Sequence, residues 1–314
     1  MYSKMESDIE PHVLTSKYAD KERQHLLVQS IVHTSKMPNK SMAPKLIEAL
    51  NFWFKLPNDK LDKVINIFRL IQATNNTIID VSENAMARNG KSTANSVYSL
   101  ADALNSSYYC CFLILERLRD LENFEAVKFG NEYFLDSSKG YGLETYWRDN
   151  IICPSEEEYV RMGTLKTGSV IRIVIKLMQL LSGNKKDLTK LTNSLAQFFH
   201  IYDDYVSLHA MDDYLLNKNG TDMISEGKFS FPMVHAICTK PNDVQLLNIL
   251  RQKTKEEELI KYCLKLLEKF GSLEYTKQIL KNLKEEAEKE MKQMEENPHM
   301  KKIFEDILSK LKIN

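Results

Sequence analysis

A chain of 314 residues with 43% apolar composition carries enough hydrophobic side chains for a substantial core, which excludes general disorder. Its 43 basic and 43 acidic residues cancel, so no net field draws it to nucleic acid or to an anionic membrane. The opening MYSKMESDIEPHV lacks the apolar run of a signal peptide, and no later stretch has the length of a membrane span; a cytoplasmic protein without integral membrane association is expected.

Ten glycines and eight prolines punctuate the whole sequence, and strand-like alternation is hard to find. With long Leu/Ile/Lys/Glu-rich stretches and no internal repeat or long linker, this predicts an all-α fold in a single domain, 1–314. The five cysteines show neither a CxxC pattern nor a disulfide framework and read as reduced, buried structural thiols.

In chain order, the pattern predicts a short helix near 20–31, a loop at SKMPNKSMAP, and helices near 44–55 and 60–89. In the last of these Asp80 and Glu83 stand three residues apart, so two carboxylates share one helix face. STANSVYSLADALNSSYYCCFLILERLRDL opens on a serine or threonine cap and becomes a buried helix over 105–118. A helix over 122–139 follows; SKGYG suggests a break, the alternative being a chain that stays nearly helical through LETYWR. In CPSEEEYVRM, Ser155 and Glu158 have capping-box spacing. Lys166, Thr167 and Gly168 then interrupt an apolar helix where it would approach a ligand. Helices are expected over 186–216 and 231–239, with NKNGTDMISEGKFSFP as a loop over an opening between them. Several amphipathic helices fill 242–313, where KEEAEKEMKQMEEN is mostly a solvated face.

FFHIYDDY sets Asp203 and Asp204 directly after Phe198, Phe199 and Ile201. Either the pair edges a helix, or the helix presents charge to something held; Ser207 lies one turn after Asp203 and shares its face.

FFHIYDDY, SEGKFSFPMVHAI, LKTG, CPSEEEY, YGLETYWRDN, LNFWFKLPNDKL and FGSLEYT occur in the order found in the type III geranylgeranyl diphosphate synthase branch of the isoprenyl diphosphate synthases. The chain strongly resembles that family over nearly its whole length. The resemblance implies a helical bundle around a deep apolar cavity, usually a homodimer, that binds a prenyl diphosphate through Mg²⁺ at two aspartate-rich motifs. On it, Asp80, Glu83, Asp203, Asp204 and Ser207 are the expected metal-site residues, with Asp203 the first candidate. Lys166 and Lys228 match the lysines that contact the allylic diphosphate, and Lys40 and Arg88 survive from the acceptor-diphosphate site. Tyr108, Tyr109, Phe198, Phe199 and Tyr202 are candidate aromatic walls for a carbocation, or ordinary core.

The departures from the family are specific. The first aspartate of the first motif is Ile79 and the last is Glu83; three acceptor-site contacts have become Ala43, Phe52 and Asn89. Fewer cationic contacts leave an anionic acceptor poorly compensated on desolvation. His200 replaces a family glutamine and reads as a phosphate contact, a proton carrier or a hydrogen-bonded structural residue. Met223 replaces the aspartate of the loop that carries Lys228. The pattern favours a Mg²⁺-dependent terpene synthase acting on geranyl diphosphate. The alternatives are a chain-extending geranylgeranyl or geranyl diphosphate synthase and a noncatalytic regulatory subunit.

Overall fold

Helices form wherever apolar residues recur at a spacing of three and four, and the computed structural model is accordingly all-α apart from one minimal hairpin. It describes Ile9, residues 11–18, 23–37, 43–217 and 223–311; Lys40 and the SKMPNKSMAP loop from Pro38 to Met42 lie outside these. The described helices are α1 Gln24–Leu27, α2 Gln29–Ser35, α3 Ala43–Phe54, α4 Asn58–Ser82, α5 Ala94–Val97, α6 Leu100–Arg119, α7 Phe124–Asn150 and α8 Glu156–Ser182. They continue with α9 Thr189–Asn217, α10 Met223–Glu226, α11 Phe231–Thr239, α12 Gln245–Gln252, α13 Glu257–Lys269, α14 Ser272–Met291 and α15 Pro298–Lys310. No helix among the described residues is long and apolar enough to cross a membrane.

The chain divides into two compact units. The first comprises Met1–Tyr133, Ile173–Lys186 and Asn297–Ile303. Its centre is α4, which buries Leu61, Val64, Ile65, Phe68, Leu70 and Ile71 along one face and packs on α2 and α6. Each such side chain is worth about 1.5–3 kcal/mol on burial. The stripe continues into polar residues whose hydroxyls stay satisfied: Thr74 Oγ1 donates to Leu70 O at 2.7 Å, and Thr77 Oγ1 to Ala73 O at 3.0 Å. α6 starts at its expected cap, where the Asp102 N–H donates to Ser99 Oγ at 3.0 Å. Only one face of α6 is buried, however. Leu100, Leu104, Tyr108 and Phe112 form an exposed stripe at four-residue spacing, with Tyr108 68% exposed. Tyr108 thus stands on the exposed face of α6, away from the core of its own chain.

The helix expected over 60–89 ends at Ser82, and Ala87–Arg88 pairs antiparallel with Lys91–Ser92 as β1 and β2. Asn89 and Gly90 both take positive φ, 50° and 77°, as a two-residue hairpin turn requires.

The second unit comprises Phe134–Arg172, Asp187–Glu296 and Phe304–Asn314. Here α9 packs along α14, and α11 packs on both. Phe198 meets the Phe304 ring edge-on at 5.1 Å, and Phe198, Phe199 and Tyr202 are all buried. The capping box opens α8 as expected: the Ser155 N–H donates to Glu158 Oε2 at 2.8 Å and the Glu158 N–H to Ser155 Oγ at 3.2 Å.

SKGYG does not break α7, which runs unbroken to Asn150. Gly140 instead permits close approach: a methyl group there would lie 2.8 Å from the Lys166 backbone nitrogen on α8. The buried-thiol expectation holds for Cys110 and Cys263, while Cys238 is exposed.

Candidate active site

In the second unit α7, α8, α9 and the segment before α11 bring together Glu144, Lys166, Lys228, His200, Tyr159 and Asp204. Lys166 Nζ lies 2.6 Å from Glu144 Oε1, both largely shielded from solvent. Burial alone would raise the Glu144 pKa, but the charges of Lys166 and Lys228 overcome it and hold the carboxyl at about 2. Lys228 pairs with Glu226 at 3.2 Å. Its backbone is fixed where α10 ends: Gly227 has φ +73°, the Gly227 N–H donates to Ile224 O and the Lys228 N–H to Met223 O. These two bonds are a Schellman motif. The expected loop over residues 217–232 thus contains a helical turn that presents Lys228.

Asp203 and Asp204 differ. Asp203 keeps an accessible carboxylate although protein surrounds it closely, and burial followed by the charge of Asp204, against the opposing Lys166, pushes its pKa up to about 7. Asp204 is 6% exposed; its Oδ2 accepts from the Tyr159 hydroxyl at 2.7 Å and from the Phe231 N–H at 2.9 Å. Burial raises its pKa too, opposed by His200, Tyr159 and the Phe231 N–H. Ser207 is half-buried one turn further along α9.

His200 is buried, with Nδ1 3.1 Å from Thr167 Oγ1 and its Nε2 enclosed without a hydrogen-bond partner among the described residues. Burial lowers its pKa, which favours the neutral imidazole. A methyl group at Gly163 would lie 2.1 Å from the His200 ring, so that glycine makes room for it. The geometry is that of a packed, hydrogen-bonded residue.

In the first unit Asp80 is fully buried, and Arg88 from β1 places Nε at 2.8 Å and Nη2 at 2.7 Å from Asp80 Oδ1. Asp80 O also accepts the Ala85 N–H at 2.8 Å, so this residue organises the turn between α4 and the hairpin. Glu83 follows as the C-cap of α4 and is half-buried, so the two expected metal carboxylates differ sharply in access. Phe52 packs edge-on against His299 at 5.8 Å, and Asn89 sits exposed in the hairpin turn.

Sequence reasoning missed Glu144 and Tyr159, although both lie inside segments that carry the resemblance. Glu144 is 22 residues from Lys166, so no local spacing signals their pairing. Only the packing of α7 on α8 makes it visible.

The family model described as polyprenyl synthetase matches residues 24–267. The chain belongs to that family. This polyprenyl synthetase family member is 40% identical over 296 residues to a terpene synthase of Matsumurasca onukii, covering 94% of this chain and 97% of that protein. It is 38% identical over 255 residues to the geranylgeranyl pyrophosphate synthase spyE of Aspergillus fumigatus, covering 81% and 71%. A geranylgeranyl pyrophosphate synthase of Mucor circinelloides f. lusitanicus is 33% identical over 288 residues, covering 92% and 95%.

The donor set around Asp203 suits a hard divalent cation. Mg²⁺ takes oxygen ligands, commonly one or two carboxylates together with substrate phosphates. Burial and the charge of Asp204 raise the Asp203 pKa, a penalty that the positive charge of such an ion would offset. Among the described residues no group of three or more His, Cys, Asp and Glu side chains forms a ready-made cage. Asp80 is a poorer fit, because its carboxylate is sealed against Arg88.

Proposed function

We propose that the chain is a Mg²⁺-dependent terpene synthase that converts a prenyl diphosphate, geranyl diphosphate as first choice, into a hydrocarbon terpene and diphosphate. The carrying observation is the Arg88–Asp80 pair. The surviving arginine of the acceptor-diphosphate site already has a buried anion as partner, and Phe52 offers a ring where the family has a histidine. The full-length likeness to a terpene synthase supports the same reading.

Lys166 and Lys228 receive the diphosphate, exchanging Glu144 and Glu226 respectively for phosphate oxygens, with their cationic charge aimed at the leaving group. Asp203 is the principal metal ligand, with Ser207 on its face; Asp204 is the further carboxylate of that helix to test. Mg²⁺, when bound, supplies Lewis-acid stabilisation of the negative charge on the departing diphosphate. The allylic C–O bond breaks with its electron pair leaving on diphosphate, and transfer of a proton from the cation to the departing diphosphate, directly or after cyclisation, gives the hydrocarbon. Phe199 and Tyr202 supply aromatic surface for the cation on the helix that carries Asp203.

The protein acts as a cytoplasmic homodimer, with the exposed Leu100, Leu104, Tyr108 and Phe112 stripe as its self-association surface. Chain extension is the second reading, favoured by the names of the fungal relatives and by the retained lysine pair.

Purified protein with Mg²⁺ is incubated with geranyl, farnesyl or geranylgeranyl diphosphate, each with and without isopentenyl diphosphate. Hydrocarbon formed without isopentenyl diphosphate is the expected result. Longer diphosphates alone refute it, and no product from folded protein turns the reading to a regulatory subunit.

A further inference from the structure

Asp204 holds a connection that its neighbour does not. α11 begins at Phe231, and its N-cap Ser230 has extended backbone, φ −110° and ψ 163°, but makes no side-chain cap bond. The Ser230 hydroxyl is buried without a hydrogen-bond partner. The first N–H of the helix is instead capped from α9, by Asp204 Oδ2 at 2.9 Å. A carboxylate suits that place, because helix N-termini carry unsatisfied N–H groups and partial positive charge. Tyr159, buried on α8, lies with its hydroxyl 2.7 Å from the same oxygen and 3.0 Å from Phe229 O. Asp204 and Tyr159 thus fasten Phe229–Phe231, the strap that begins immediately after Lys228. On the other side, the Lys228 N–H is fixed on Met223 O by the turn ending α10. Lys228 is therefore held from both directions, whereas Asp203 carries an accessible carboxylate.

We infer that Asp204 is a positioning residue: it fastens the Phe229–Phe231 strap and thereby aims Lys228 at a diphosphate, leaving Asp203 as the one metal ligand of the pair. The metal half of this inference rests on the proposed function; the strap half stands without it. Asparagine separates the two roles at position 204. It keeps an oxygen able to accept from Phe231 and Tyr159 but loses the negative charge a hard cation selects.

The test uses the full chain with Mn²⁺ and inorganic pyrophosphate as probes, followed by calorimetry and Mn²⁺ magnetic resonance. Asp204→Asn is expected to keep Mn²⁺ affinity within about threefold of the parent, while Asp203→Asn loses about tenfold or more, the scale of one charge-assisted contact. In metal-free buffer, Tyr159→Phe and Lys228→Met should each weaken pyrophosphate binding, and their combination should cost little more than Lys228→Met alone. Equal loss of Mn²⁺ affinity in Asp204→Asn and Asp203→Asn overturns the assignment. Fully additive losses for Tyr159→Phe and Lys228→Met overturn the strap. A folded parent that binds pyrophosphate but no Mn²⁺ refutes the metal half together with the proposed function, and the metal-free pair then decides the strap by itself. Tyr159→Phe, which leaves Asp204 intact, keeps the strap testable if an Asp204 variant fails to fold.

Discussion

Arg88 and Asp80 form an ion pair whose contribution to stability depends on both partners. Taking two charges out of water is costly, and a buried pair is offset only while both partners remain. Removing either side chain leaves an uncompensated charge, at about 3–5 kcal/mol in a buried site. Because the Arg88 side chain is 18% exposed, Arg88→Met is expected near the lower end, about 3 kcal/mol, read as a fall in the urea midpoint. Asp80→Asn combined with Arg88→Met should cost less than the sum of the two, the coupling a double-mutant cycle measures. Glu144 gives a pH signature of defined sign. Its carboxyl is held at about 2, below the ordinary value of 4.5, by Lys166 and Lys228 against the opposing effect of burial. Its contribution to stability is fully present above pH 4.5 and disappears as pH falls towards 2. Glu144→Gln should cost roughly 1–3 kcal/mol at neutral pH and flatten the stability profile across that window, measured by denaturant titration at stepped pH.

At the scale of elements, local signals in the sequence named most helices, and long-range packing decided where they ended or continued. The Ser155–Glu158 box is a contact between near neighbours, so residues alone reveal it. α4 stops at Ser82, where Asn84 takes φ 50° and the Ala85 N–H returns to Asp80 O, a termination helical periodicity does not register, although Asn89–Gly90 carries a hairpin signal. Glycine misled at SKGYG for the opposite reason: Gly140 marks a close helix–helix approach, and the residues supporting α7 lie on α8. Gly140→Ala should therefore destabilise by about 1–3 kcal/mol through overpacking, despite the better helix propensity of alanine, as read from thermal unfolding. At the site, the motif residues Lys166, Lys228, Asp203 and Asp204 were legible, while Glu144 and Tyr159 were not. Their roles arise from pairings across 22 and 45 residues that no spacing encodes.

For the whole molecule, an all-α bundle of the polyprenyl synthetase family leaves the balance between elimination and chain extension as the central question. Self-association has its own test. Leu100, Leu104, Tyr108 and Phe112 stand on one exposed helix face, so Phe112→Asp should shift sedimentation from dimer to monomer without unfolding the chain. The most direct measurement of the central claim is a partition experiment. Labelled geranyl diphosphate is turned over once by excess enzyme with Mg²⁺ and saturating isopentenyl diphosphate, and the label is divided between hydrocarbon and longer diphosphates. The account predicts label in hydrocarbon, in the same amount whether or not isopentenyl diphosphate is present. Label that moves into farnesyl or geranylgeranyl diphosphate when isopentenyl diphosphate is added would contradict it.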